Sequence, residues 1–455
     1  MKSALLPTVP TGAQRLLLTG ATLIDGTGGE PLRDAEVELA DGRIVYAGPR
    51  RPAEAGAGAG ASGASDAQPA GASGAAAGGV SGAVRTVDLA GRTILPGFID
   101  AHVHLGLDLE DQLANLRRFD SERTFRAAVN ARKTLMAGVT TARDLGGVDA
   151  GFRDSIAAGL IQGPRLHIAL VPLSPTGGHG DHHLPNGTET MKLGAVDPII
   201  DTDDDVRRTV RLLIRSGADA IKVCTTGGVS SPSDTPDDVG VPAEHVALIK
   251  AETAKRAGQP VAAHAQGAEG ILEALRGGID SVEHGYGIDD EGIELMLAQG
   301  TFLVPTLSSA LRVPDPALVP GYLYEKKVKW SAIARERVAA AFAAGVKVAL
   351  GTDAGICPHG VNLREAAHAV ELGLSPMQAI VAGTSNAAQL LRLSDDLGTV
   401  EEGKLADLIV VDFDPLADID SLAEPDNVKA VIQGGALVKD TADWFGFAPV
   451  RPALG

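Results

Sequence analysis

The sequence predicts an α/β fold, a (β/α)8 TIM barrel joined to a small β-sandwich built from both chain ends. Three observations carry this. Short apolar runs alternate with helix-patterned stretches through the middle of the chain, strand-and-turn patterns fill its two ends, and polar residues able to bind a metal stand where the apolar runs stop. A chain of 455 residues is long enough for one large domain with a small one appended.

Composition narrows the class. Hydrophobic residues make up 44% and charged residues 22%, a globular balance, and with only 3% aromatics the core must be built from Ala, Val, Leu and Ile. The 40 Lys+Arg against 58 Asp+Glu give a formal charge of −18, which argues against nucleic acid or an anionic membrane as a partner. Cys224 and Cys357 are too few for a disulfide framework, and both are expected to be small buried residues. The first residues, MKSALLPTVPTGAQ, lack a long apolar signal core, and no apolar run approaches a membrane span, so a cytoplasmic protein is expected.

Residues 1–95 read as the first part of the sandwich. Runs 15–18, 21–24, 35–39 and 44–47 favour strands, and Asp41-Gly42 between the last two is a hairpin signal. Residues 52–84 are almost entirely Ala, Gly and Ser, a composition that cannot bury enough apolar area to offset its ordering entropy. We therefore expect a mobile insertion. Deleting residues 54–82 should leave yield, melting temperature and activity nearly unchanged; a collapse in any of them would make the segment structural.

Residues 96–395 read as the barrel. Apolar runs at 97–104, 139–143, 166–171, 220–223, 261–264, 281–284, 302–305 and 346–351 are mostly separated by helical spacing at 121–137, 204–216, 243–257, 269–276, 290–298 and 332–344. Residues 172–200 are too long for a plain connector and are a candidate lid or pocket wall. Two helices, 363–371 and 376–391, follow. Residues 396–455 return to strand character and complete the sandwich.

His102 and His104 are one residue apart at the end of the first run, so on a strand both imidazoles leave the same face. Lys222, His264, His284 and Asp353 end or follow four further runs. In a (β/α)8 barrel those ends share one face, the face that carries chemistry. Six metal-compatible residues thus converge on one mouth.

The segments GFIDAHVH, AIKVCTTGG, VAAHAQG, SVEHGYG, LGTDAG and GKLADLIVVD resemble the amidohydrolase superfamily over nearly the full length. Within it the chain looks most like the branch of Xaa-Pro dipeptidases, lysine/arginine carboxypeptidases and ochratoxin-type amidases, with imidazolonepropionase-like enzymes nearby. The resemblance implies two divalent metal ions, with zinc expected. His102, His104 and Asp353 would hold the first and His264 and His284 the second. Lys222, carboxylated by CO2, would bridge them, because a protonated lysine has no lone pair. An unmodified Lys222 would instead imply one metal, as in deaminase-like relatives.

The implied reaction is attack of metal-bound hydroxide on an amide bond in a dipeptide or N-acyl amino acid with a free carboxylate. Asp353 would take the hydroxide proton and return it to the leaving amine. The alternative on the same site is hydrolysis of a cyclic amide, a lactone or a phosphotriester. His179, in TGGHGD, is the candidate for a catalytic and substrate contact. Tyr286, Arg143 and Gln266 are further substrate candidates, although Arg143 could equally pair with Asp144. Gln266 stands where relatives often have His or Tyr. A homo-oligomer is compatible with the sequence.

Overall fold

The computed structural model describes residues 15–52, 84–107, 118–183, 186–187 and 196–453. Nearly all of the insertion expected at 52–84 lies outside them, as does part of the 172–200 segment.

The chain opens with β1 (Arg15–Leu23), β2 (Leu32–Ala40), β3 (Arg43–Pro49), β4 (Val84–Asp88) and β5 (Thr93–Pro96). The β2–β3 hairpin turns on Asp41-Gly42, both at positive φ (49° and 78°), the backbone that matches the twist of a two-residue hairpin. β1 serves two neighbours along one edge. Its start runs parallel to β4 and its end parallel to β5. Gly20 stands between the two pairings at φ 66°, and a Cβ there would lie 2.6 Å from the Asp88 carboxylate.

The middle of the chain supplies β6 (Phe98–Val103), β7 (Val139–Asp144), β8 (Arg165–Ile168), β9 (Pro172–Leu173), β10 (Ile221–Cys224), β11 (Val261–Ala265), β12 (Ser281–His284) and β13 (Phe302–Val304). They form two parallel sheets, in the orders β6-β7-β8 and β13-β12-β11-β10-β9. The third apolar run, 166–171, is strand only through Ile168, since Leu170 adopts φ 71°, and β9 falls at the start of the 172–200 segment expected as a lid or pocket wall. The eighth run makes isolated bridges in place of a ladder. Leu303 N–H donates to Lys347 O (2.8 Å), Ala101 N–H to Leu350 O (2.9 Å), and Asp353 N–H to His102 O (2.8 Å). This segment therefore hydrogen-bonds to β13 on one side and β6 on the other. On the opposite flank, Asp219 N–H donates to Ile168 O (2.8 Å), joining β8 to the approach of β10.

Helices at Asp120–Met136, Asp203–Arg215, Ala243–Ala254, Ala268–Arg276 and Asp290–Gln299 fall close to the expected spans. The Asp203–Arg215 helix starts in a capping box between Thr202 and Asp205. The last long helix is Gly321–Ala344, eleven residues longer at its start than the spacing predicts. The expected 376–391 helix is two, Pro376–Ala382 and Ser385–Leu390, split at Gly383. A Cβ on Gly383 would meet the Phe98 ring at 2.6 Å, so glycine is what lets this turn sit against β6.

The chain closes with β14 (Leu408–Val411), β15 (Val428–Gln433) and β16 (Ala436–Asp440), and these join the opening strands. The hydrogen bonds trace one eight-stranded sheet, β16-β15-β14-β5-β1-β2-β3 with β4 beside β1, where the sequence suggested two facing sheets. β5 is the join, pairing with β1 and with β14. Among the described residues no helix is long and apolar enough to cross a membrane.

Candidate metal and active site

His102 and His104 leave the end of β6 together, as strand geometry requires. Each ring is held through one nitrogen. His102 Nδ1 donates to Glu283 Oε2 (2.8 Å), and His104 Nδ1 donates to the Gly146 carbonyl (2.7 Å). With both protons on Nδ1, the two Nε2 atoms are bare acceptors. They face each other at 3.3 Å, and Asp353 Oδ1 lies 3.5 Å from both. Three acceptors pointed at one another repel unless a cation sits between them. His102, His104 and Asp353 therefore make a group that can hold a metal ion.

The other expected residues adjoin this group. Ring centroids step from His102 to His284 (5.1 Å), from His284 to His264 (4.5 Å) and from His264 to His179 (4.1 Å, stacked at 18°). His284 Nδ1 is bonded to Thr306 Oγ1 (2.8 Å), and His264 Nε2 to the Gly227 carbonyl (3.1 Å). Burial, with nearby cations adding to it, holds His102, His264 and His284 well below the usual histidine range, and burial lowers His104 to about 4. These are neutral imidazoles, the form that ligates metals.

Lys222, on β10, is buried, and its Nζ has no hydrogen-bond partner among the described residues. A buried ammonium without partners is costly. Burial accordingly pulls the amine down to about 8. Burial also raises the Asp353 carboxyl to about 7, against the pull of Lys222 and Lys327.

Two of the acceptor-bearing residues sit in backbone that non-glycine residues seldom adopt, His284 at φ 73° and Asp353 at φ 60°, with Thr306 at 50°. His284 ends β12, and Thr306 and Asp353 follow β13 and the 346–351 run. At His284 the turn has a specific result. Glu283 and His284 are adjacent and would point to opposite faces of a regular strand, yet Glu283 bonds the His102 ring while the His284 ring packs against it.

The structure distributes the substrate candidates unevenly. His179 stacks on His264 and bonds Asp234 Oδ2 through Nδ1 (3.2 Å). Gly228 is required beneath it, since a Cβ would fall 2.2 Å from the His179 ring. The Tyr286 hydroxyl shares Thr306 Oγ1 with His284 (3.1 Å). Gln266 braces the same loop as His179, its Oε1 accepting from Val229 N–H (3.0 Å).

Arg143 is a correction. It is fully buried, and its guanidinium is bound by Ala101 O (2.6 Å), Ser281 Oγ (3.3 Å) and Glu283 Oε1 (2.7 Å), which leaves no face for a substrate. Its ion-pair partner is Glu283, because the Asp144 carboxylate is taken up by the backbone N–H groups of Leu105 (2.7 Å) and Gly146 (3.0 Å). Glu283 is not among the residues the sequence singles out. Neither is Asp100, buried between the two ends of the site, whose carboxylate accepts from His102 N, Thr352 and Asn362. The signal for Asp100 was the i, i+2, i+4 alternation of Asp100, His102 and His104. Cys224 and Cys357 are free and buried as expected.

The profile of the Amidohydrolase family matches residues 93–438. Ochratoxinase from Aspergillus niger is 35% identical over 366 residues, covering 76% of this chain and 75% of that protein. Imidazolonepropionase from Stenotrophomonas maltophilia is 26% identical over 435 residues, 87% of this chain and 90% of its own. Among solved structures, a Xaa-Pro dipeptidase with methionine bound in its active site superposes with a TM-score of 0.81 at 30% identity, covering 93% of this chain and 100% of that one. The chain thus belongs to the amidohydrolase family and is a hydrolase acting on C–N bonds.

Proposed function

We propose that this chain hydrolyses an amide bond in a dipeptide or N-acyl amino acid at a binuclear metal centre. The observation that carries the reading is the convergence of three lone-pair acceptors beside a buried lysine amine that has no hydrogen-bond partner among the described residues. His102, His104 and Asp353 would hold one ion, His264 and His284 the other, and a carboxylated Lys222 would join them. The donor set of imidazole and carboxylate suits zinc. Divalent ions bound there supply an acidified water and a Lewis acid for the scissile carbonyl.

The protein's own groups do the rest. Asp353 takes a proton from the attacking water and returns it to the leaving amine nitrogen. His179, fixed by Asp234, contacts the carbonyl oxygen or the substrate carboxylate, with Tyr286 and Gln266 on the pocket wall. Ochratoxinase and the Xaa-Pro dipeptidase, as relatives, support an amide as the bond cleaved. The hydrogen bonds of residues 347–353 to both β6 and β13 support a closed (β/α)8 barrel over 96–395. Leu18, Val37, Val410 and Ile432 share one core, which supports an end sheet folded over itself as a sandwich from residues 1–95 and 396–455.

The test is a mixed library of dipeptides and N-acyl amino acids, read by mass spectrometry with and without a chelator. Cleavage that depends on the C-terminal residue and stops on chelation is the expected result. No cleavage by protein verified to hold two metals would reject this substrate class and turn attention to lactones, cyclic amides and phosphotriesters.

A further inference from the structure

We propose that Lys327 forms a subsite for the substrate carboxylate, immediately beside the reacting centre. This deepens the amide-hydrolysis reading and rests on it. A carboxylate bound in an enclosed site needs a cation or a set of N–H donors that is not already engaged. Arg143 is sealed against Glu283. Lys326 spends its ammonium on the Ser231 carbonyl (2.8 Å) and the Asp234 carbonyl, holding the loop under His179. Lys222 is the bridging group of the proposed metal centre.

Lys327 is different. Among the described residues its Nζ donates to one acceptor, the Ser309 carbonyl (3.1 Å), and no carboxylate lies within 4 Å of it. An ammonium has three donors, so two remain for a ligand. Its neighbourhood is the site itself. Ser309 N–H donates to the Thr306 carbonyl (3.0 Å), and the Thr306 hydroxyl is the one shared by His284 and Tyr286; Asp353 is the carboxylate that acts most strongly on the Lys327 charge.

The helix that carries Lys327 is anchored there. Trp330 and Ala334 pack with Val229, Tyr286 and Ala310, and Lys327 lies one turn before Trp330 on the same face of Gly321–Ala344. The placement matches the proposed substrate. In a dipeptide or N-acyl amino acid the carboxylate carbon is three bonds from the scissile carbonyl carbon. Its binding group must therefore stand next to the reacting atoms and not among them. Lys327 stands there through Ser309, one turn after the Thr306 that holds His284 and Tyr286.

The experiment compares wild type, Lys327→Met and Lys327→Arg on N-acetyl amino acids and on the matching N-acetyl amino acid amides, all with metal content verified. Binding of the free amino acid and of its amide is followed by calorimetry. Wild type should favour the acids. Lys327→Met should raise KM for the acids by about 30-fold, the scale of one lost hydrogen bond to a charged group, with kcat and the amide kinetics little changed. Lys327→Arg should keep most of the preference. The calorimetric difference between acid and amide should vanish in Lys327→Met only.

Retained acid preference in Lys327→Met would overturn the subsite and leave amide hydrolysis standing, as would equal losses on acids and amides. Equal cleavage of acids and amides by wild type would remove any carboxylate subsite. No cleavage of either by wild type would reject the parent reading, and the subsite with it.

Discussion

Lys222→Ala should lower turnover by on the order of 10^3-fold, and a short-chain carboxylate supplied in solution should restore part of it. Nζ of Lys222 is enclosed by protein, has no hydrogen-bond partner among the described residues, and is near neutral imidazoles, with Glu283 and Asp353 as the carboxylates that act on its charge. As an ammonium it would oppose a cation at His102, His104 and Asp353. As a carbamate it would attract one. The conversion, amine plus CO2 giving carbamate and a proton, needs the neutral amine, and burial brings the amine down to about 8. The sign follows. Lowering the pKa enlarges the neutral fraction at neutral pH, and that fraction grows further as pH rises through 8. At a fixed concentration of dissolved CO2, loading of metal-free protein with zinc should therefore run faster at pH 8.5 than at pH 6.5. In Lys222→Ala the freed space admits a small carboxylate that supplies the missing oxygens. Metal content should fall from two ions toward one without the additive. Full activity in the unrescued variant would eliminate the bridging carbamate.

What the sequence reveals, and what it hides, divides along a physical line. Residues whose placement follows from regular strand geometry are legible. His102 and His104 share a face because they are two apart, and Lys222 and His264 stand near the ends of parallel neighbours β10 and β11. Asp41-Gly42 is legible because a two-residue hairpin demands that turn chemistry. Residues placed by irregular backbone are not. Strand periodicity sends Glu283 away from His284, and only the left-handed turn at His284 brings both against His102. Leu170 interrupts the third strand by the same kind of turn. Arg143 misled because sequence adjacency suggested Asp144, whereas the partner comes from β12, 140 residues on. Lys327 was hidden in a stretch with no helical pattern of its own. Tertiary contacts of Trp330 and Ala334 extend the helix back to Gly321 and carry the lysine to the site.

Glu283→Gln should weaken metal binding by about 10–100-fold and destabilise the fold by about 3–5 kcal/mol, even though it changes one atom and no volume. Glu283 and Arg143 have no exposed side-chain surface, and among the described residues Glu283 is the only carboxylate within 4 Å of Arg143. One carboxylate oxygen accepts from Arg143 and the Ser281 hydroxyl, and the other accepts from His102 Nδ1. An amide has a single acceptor. The guanidinium, being charged, takes it, and the amide NH2 is turned toward His102. Nδ1 must then become the acceptor, the ring proton moves to Nε2, and the lone pair aimed at His104 and Asp353 is lost. The stability loss has a separate origin, an arginine left buried without its counter-ion. The double variant Arg143→Met/Glu283→Gln separates the two effects. With the cation gone, the amide oxygen is free to face His102, so both melting temperature and metal affinity should recover much of what the single variant loses. Affinity is read by competition with a chromophoric chelator. If the double variant regains stability while its metal affinity stays as low as that of Glu283→Gln, the tautomer of His102 is not what Glu283 controls.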